Sequence, residues 1–130
     1  MKNFIVAKSA GFCFGVSRSV EMAQKLLESG SAYSLGQLIH NDDVVRKFEA
    51  QGLKVINSPD ELSAGARVMI RSHGVSKAVY AQLEKRGADI TDATCPKVMR
   101  IHELVRKAQE EGRFVVIIGM HDHPEVEAVK

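Results

Sequence analysis

The sequence has only two cysteines among its 130 residues, and it lacks both a long hydrophobic run and a large net charge. Two cysteines are too few for the disulfide framework of a small secreted domain. The longest apolar run, residues 114–118, is much too short to cross a bilayer. Residues 1–10 contain no apolar stretch long enough for a signal peptide. We therefore expect a cytoplasmic protein with reduced thiols and no membrane partner.

The charge and composition indicate an ordinary globular chain. The 18 basic and 16 acidic residues leave a formal charge of +2, which provides no basic stripe for a nucleic-acid duplex. Hydrophobic residues make up 45% and charged residues 26% of the sequence, as is typical of folded domains. This length and composition suit one domain, or a small domain and part of a second.

Short β-rich runs alternate with amphipathic helical stretches along the chain. The predicted strands are residues 3–7, 33–35, 54–56, 67–71, 88–91 and 113–118, and the predicted helices are residues 16–29, 42–51, 76–86 and 96–109, with a last helix opening at Pro124. Residues 57–60 are predicted to form a loop. This alternation is typical of the α/β class, with a small, mostly parallel sheet flanked by helices. Because the last helix is too short to be stable alone, we expect the sequence to be truncated.

Both cysteines and three of the five histidines fall where a predicted strand gives way to a helix. They are Cys13, His40, His73, Cys95 and His123. The carboxyl ends of parallel strands share one edge of a sheet, and ligands bind at that edge. Each helix N-terminus there stabilises an anion by about 0.3–1 kcal/mol. The pattern therefore predicts a site with two thiolates and three imidazoles that is suited to a phosphate group.

Simpler interpretations exist for each of these residues. Free cysteines are often small buried hydrophobes, and we assign His102 and His121 to structural roles and Asp42 and Asp43 to helix capping. The cysteines lack the hairpin spacing of a structural zinc site, and two are fewer than an iron–sulfur cluster usually needs. The residues alone leave open an iron–sulfur site, a thiol-redox or zinc-binding module that uses Cys13 and Cys95, and a phosphate-binding domain with core thiols.

Taken together and in order, the motifs GFCFGV, HN, SHGVS, DATCP and HPEVE resemble those of one enzyme family. It is the 4-hydroxy-3-methylbut-2-enyl diphosphate reductase family, which catalyses the last step of the non-mevalonate isoprenoid pathway. The resemblance implies three similar α/β domains arranged as a trefoil around a central [4Fe-4S] cluster. Residues 1–95 would be the first domain and residues 96–130 the opening of the second, with the remaining domains absent from this chain.

The resemblance also implies a role for each junction residue. Cys13 and Cys95 match two of the three cysteines that hold the cluster, and the third would lie outside this chain. His40, His73 and His123 match the histidines that bind the substrate diphosphate.

Glu125 matches the acid that supplies protons to the departing hydroxyl group. The implied reaction is the reductive dehydroxylation of (E)-4-hydroxy-3-methylbut-2-enyl diphosphate to isopentenyl and dimethylallyl diphosphates. The electrons would come from a donor such as ferredoxin or flavodoxin.

Overall fold

A computed structural model describes residues 4–130, with helices on both sides of one sheet. In chain order the elements are α1 (Phe14–Glu28), β1 (Ala32–Leu35), α2 (Asp42–Ala50), β2 (Leu53–Ile56), a 3-10 turn (Pro59–Glu61), β3 (Arg67–Ile70), α3 (Lys77–Lys85), β4 (Asp89–Asp92), α4 (Pro96–Glu110) and α5 (Pro124–Val129). Within the described residues, no helix is both long and apolar enough to cross a membrane.

The four strands form one parallel sheet in the order β2-β1-β3-β4. β1 therefore lies beside β3, and β3 beside β4, with Leu35 paired with Ile70 and Ile70 with Asp92 at their carboxyl ends. The α/β class and the parallel sheet predicted from the sequence are confirmed.

The central strand β3 is buried on both faces. Val68, Met69 and Ile70 are all inaccessible to solvent, and successive side chains of a strand point to opposite faces. Met69 packs in the cluster formed with α1 and α2, whereas Val68 and Ile70 pack in the cluster that contains Leu83 of α3. Burial on both faces explains why β3 reads as a continuous apolar run rather than an alternating one.

The first and last predicted strands are wrong within the described residues. Residues 4–7 and 113–118 form no strand, and Ile5 and Ile118 are 98% and 95% exposed. Asn3 lies outside the described residues. Apolar β-branched residues favour a strand only where a neighbouring strand accepts their hydrogen bonds and another surface covers their side chains. Neither segment has such a neighbour among residues 4–130.

The predicted loop at residues 57–60 contains a 3-10 turn. Ser58 and Glu61 form a capping box around it, and the Glu61 carboxylate accepts hydrogen bonds from the backbone N–H groups of Asn57 (2.8 Å) and Ser58 (2.9 Å). These bonds satisfy donors that would otherwise be free at the start of the turn.

Candidate functional site

Three of the five candidate residues follow adjacent strands at the carboxyl edge of the sheet. His40 comes after β1, His73 after β3 and Cys95 after β4, and these three strands are neighbours in the sheet. The strand order, which the sequence pattern does not specify, therefore brings their loops side by side.

The three candidate histidines form one imidazole cluster with His73 in the middle. The ring centroids of His40 and His73 are 5.2 Å apart, and those of His73 and His123 are 6.2 Å apart. His123 reaches the cluster from the N-cap of α5, where its Nδ1 accepts a hydrogen bond from the backbone N–H of Glu125 at 3.3 Å. A neutral imidazole that accepts at Nδ1 carries its proton on Nε2, so His123 is arranged to donate a hydrogen bond from Nε2.

The two cysteines occupy equivalent positions at the starts of two helices. Cys13 is the N-cap of α1 and Cys95 is the N-cap of α4, and neither side chain makes a capping hydrogen bond. Both thiols are free. A β-carbon added at Gly15, in the first turn of α1, would lie 2.6 Å from Cys95 Sγ, so the beginnings of the two helices are in contact. Cys13 follows an irregular segment and not the strand predicted before it.

The thiol and imidazole parts of the site are joined through Ser72. The backbone N–H of Cys95 donates a hydrogen bond to the Ser72 carbonyl oxygen at 2.9 Å, and His73 is the next residue along the chain. The Cys95 sulfur and the His73 ring are thus carried by two loops that are tied directly to each other.

Sequence reasoning did not identify the charged residues that support these loops. Arg71 follows β3, its half-buried side chain packs against Gly36, and its Nε has no hydrogen-bond partner among the described residues. Asp92 accepts hydrogen bonds from the Thr94 backbone N–H (2.8 Å) and hydroxyl group (2.5 Å), which shapes the turn that leads to Cys95. The available signals were an arginine directly after an apolar strand and an Asp-x-Thr turn before a cysteine.

Burial lowers the pKa of His73 from the ordinary imidazole value of 6.5. The positive charge of Arg71 and the electrostatic effects of His40 and His123 lower it further, while the carboxylate of Glu125 acts in the opposite direction. His73 Nδ1 is also buried without a partner among residues 4–130. The folded protein therefore favours the neutral imidazole at this position.

This pKa shift predicts a loss of stability at mildly acidic pH. Because the unfolded chain binds a proton at His73 more readily than the folded chain, the contribution of His73 to the free energy of unfolding should be fully present above about pH 6.5 and decline as the pH drops below it. Replacing His73 with Gln should make the decline between pH 6.5 and 5 shallower, as measured by urea unfolding at each pH.

The matched control for this experiment is His121→Gln. The His121 side chain is largely exposed in a polar turn, so its replacement should retain the wild-type pH dependence. An identical decline in the wild type and in His73→Gln would contradict the prediction.

The ring contacts of the imidazole cluster do not include His102 or His121, which the sequence assigned to structural roles. His102 lies on α4, and its ring packs against the loop at Gly74, with Nε2 buried and unpartnered among the described residues. His121 forms a three-donor group with Asp122 and Glu127, the only such group in residues 4–130. The Lys130 ammonium lies 2.5 Å from Glu127, which disfavours a second cation there.

The predicted capping role of two acidic residues needs one correction. Asp42 and Asp43 lie in the first turn of α2, where carboxylates stabilise the helix dipole. The N-cap itself is Asn41, whose side chain accepts a hydrogen bond from the backbone N–H of Val44 at 3.2 Å.

Comparison with known proteins places these motifs in a family. Residues 4–130 match the family described as LytB protein. The chain belongs to the LytB family. The "4-hydroxy-3-methylbut-2-enyl diphosphate reductase" of Caldanaerobacter subterraneus is 42% identical over 127 residues, which cover 94% of this LytB chain and 44% of the relative. The reductase of the same name from Aquifex aeolicus is 41% identical over 128 residues, 97% of this chain and 44% of the relative.

Solved structures with related names share this fold. The E-1-hydroxy-2-methyl-but-2-enyl-4-diphosphate reductase of Plasmodium falciparum matches with a TM-score of 0.90 and 30% identity, over 94% of this chain and 39% of that one. A structure of (E)-4-hydroxy-3-methyl-but-2-enyl diphosphate reductase, described as the terminal enzyme of the non-mevalonate pathway, matches with a TM-score of 0.84 and 40% identity. The match covers 99% of this chain and 46% of that one. This LytB chain thus spans less than half the length of the relatives it matches.

Proposed function

We propose that this chain is the N-terminal portion of a 4-hydroxy-3-methylbut-2-enyl diphosphate reductase and contributes part of its active site. The observation that carries the proposal is the hydrogen bond between Cys95 N–H and the Ser72 carbonyl oxygen, because it joins the candidate metal ligand to the imidazole cluster. The relatives' names supply the substrate and reaction, and the arrangement of residues suits both.

The donor set suits an iron–sulfur cluster, proposed here to be [4Fe-4S]. Cys13 and Cys95 are free thiols at helix N-caps, and neither side chain makes a capping hydrogen bond, so both sulfur atoms are available as iron ligands. The third cysteine ligand is proposed to lie outside this chain. When bound, the cluster would supply electrons and a Lewis-acidic iron.

The imidazole cluster and Arg71 are suited to the substrate diphosphate. His123 offers an Nε2 donor, His73 lies between the other two rings, and burial lowers the pKa of Arg71 below its usual value. Burial disfavours a guanidinium charge that has no anion beside it, so a bound phosphate group would offset that cost. We assign diphosphate binding to His40, His73 and His123, with Arg71 adding positive charge.

Glu125 is proposed as the proton donor to the substrate. Its side chain is exposed on the first turn of α5 and acts electrostatically on His73, and its backbone N–H donates a hydrogen bond to the ring of His123. The reaction consumes two electrons and two protons, breaks the allylic carbon–oxygen bond and releases the hydroxyl group as water. Hydroxide is a poor leaving group, so a positioned acid is required.

The surroundings of the thiols do not support the zinc alternative. Among residues 4–130, the only group of three donors close enough to share a metal ion contains neither cysteine, whereas a structural zinc site needs four ligands.

The domain boundary, electron donor and compartment belong to the same proposal. Residues 1–95 would form the first of three domains in a trefoil and residues 96–130 the opening of the second. A ferredoxin or flavodoxin would deliver the electrons, and the protein would be cytoplasmic.

An anaerobic activity assay tests the proposal. The longer protein that carries this chain should turn brown when it is reconstituted with iron and sulfide. With dithionite and methyl viologen, it should then convert the hydroxylated diphosphate to isopentenyl and dimethylallyl diphosphates, detected by NMR. Colourless protein with tightly bound zinc, or cluster-loaded protein without product, would refute it.

A further inference from the structure

Helix α1 packs directly against the loop that carries Cys95. Gly15 is buried in this contact, and an added β-carbon there would lie 2.6 Å from Cys95 Sγ and 3.1 Å from Cys95 Cβ. A side chain at position 15 would therefore require the Cys95 side chain to move. The first turn of α1 lies against the side chain that we assign as a ligand.

Two side chains on the same part of α1 hold consecutive carbonyl groups of that loop. Arg18 donates a hydrogen bond from Nη1 to the Thr94 carbonyl oxygen at 3.2 Å. The Ser19 hydroxyl lies 3.2 Å from the Ala93 carbonyl oxygen and 3.1 Å from the Gly15 carbonyl oxygen, and Ser19 is 0% exposed. The loop is thus attached to α1 by side chains from successive residues.

The opposite side of the loop is attached to β3 and its following turn. Ala93 N–H donates to Ile70 O at 3.0 Å, and Cys95 N–H donates to Ser72 O at 2.9 Å. These bonds place Cys95 relative to the sheet, but they do not involve Cys13. Cys13 is exposed at the beginning of α1 after an irregular segment, so its position relative to Cys95 depends on how α1 docks.

We propose that Arg18 is a positioning residue that sets the spacing of Cys13 and Cys95 by anchoring α1 to the Thr94 carbonyl, with Gly15 permitting the close contact. This inference rests on the proposed function, in which both cysteines bind one cluster. Ligand sets must be held within about 0.5 Å of their productive geometry. A charged donor that bridges the two ligand-bearing segments supplies that precision.

Four variants of the longer protein test the role of Arg18. Arg18→Met removes the hydrogen bond, Arg18→Lys retains the charge, Gly15→Ala pushes Cys95 away, and Arg46→Met is the control. Arg46 lies on α2, is largely exposed and pairs only with Asp43 among the described residues. Each variant is reconstituted anaerobically, and its thermal midpoint, iron and sulfide content, EPR spectrum and reduction potential are measured.

Arg18→Met and Gly15→Ala should stay folded but show lower iron content, an altered EPR spectrum and a shifted reduction potential. Arg18→Lys should be intermediate, and Arg46→Met should match the wild type. A normal iron content, spectrum and potential in folded Arg18→Met would overturn the inference, because a merely structural residue would change only the thermal midpoint.

A thiol measurement without iron separates this inference from the proposed function. In the apoprotein, Arg18→Met should loosen the packing of α1 against Cys95 and raise the rate of Cys95 alkylation by iodoacetamide about tenfold, the factor that corresponds to losing one hydrogen bond from a charged donor. If the wild type binds no cluster, the proposed function fails. The alkylation rate still tests whether Arg18 anchors α1 to the Cys95 loop. Equal rates in the wild type and in folded Arg18→Lys and Arg18→Met would overturn the role of Arg18.

Discussion

Replacing Cys95 with Ser in the longer protein should abolish stable cluster binding and reductase activity while leaving the chain folded. Loss of a direct ligand should exceed the roughly 10–100-fold effect that removal of an outer partner has on metal affinity. The free energy of unfolding of the apoprotein, in contrast, should be equal to that of the wild-type apoprotein or higher. Cys95 occupies an N-cap but makes no capping hydrogen bond, and serine is a preferred residue there, worth about 0.5–2 kcal/mol relative to alanine.

Loss of the cluster without loss of apoprotein stability in Cys95→Ser would distinguish a ligand cysteine from a cysteine that only packs in the core. If the cysteines were only core residues, the substitution would leave any bound iron unchanged. Cys13→Ser provides the parallel test at α1, whose N-cap is also free of a side-chain hydrogen bond. Iron and sulfide analysis, visible absorption and urea unfolding measure the effects. A Cys95→Ser protein that retains a full cluster would refute the ligand assignment.

Replacing Glu125 with Gln should lower kcat by about 10²–10⁴-fold, the usual contribution of a general acid. Glutamine retains the shape of the side chain but has no acidic proton to transfer. Substrate binding should change little, because the diphosphate is assigned to the imidazole cluster, and the cluster content should stay normal. The measurement is steady-state kinetics with substrate, together with the affinity for the diphosphate product.

Glu127→Gln is the matched control for this experiment. Glu127 is a second exposed carboxylate on α5, two residues further on, and is paired with Lys130, whereas Glu125 acts electrostatically on His73. Its replacement should leave kcat near the wild-type value. Equal losses in both variants, or full activity in Glu125→Gln, would contradict the assignment of Glu125.

The strand β3 could be predicted from the sequence because its residues are apolar, as a strand buried on both faces requires. β3 is apolar throughout and is covered on both faces, so its sequence and its environment agree. The runs at residues 4–7 and 113–118 have the same composition, but they have no paired strand within the described chain. An apolar, β-branched composition indicates only that a segment favours an extended, buried conformation. Whether the segment forms a strand also depends on a neighbouring strand with which it can pair.

Residue types and their spacing alone established the α/β class, the helix starts and the thiols and imidazoles worth considering, because these depend on local periodicity and turn chemistry. Only the tertiary structure showed which of these thiols and imidazoles lie close to one another. The strand order places the loops of His40, His73 and Cys95 side by side, and the approach of α1 to Cys95 through Gly15 and Arg18 joins segments far apart in the sequence. Such long-range contacts follow from how the layers pack, and no pattern within a single segment encodes them.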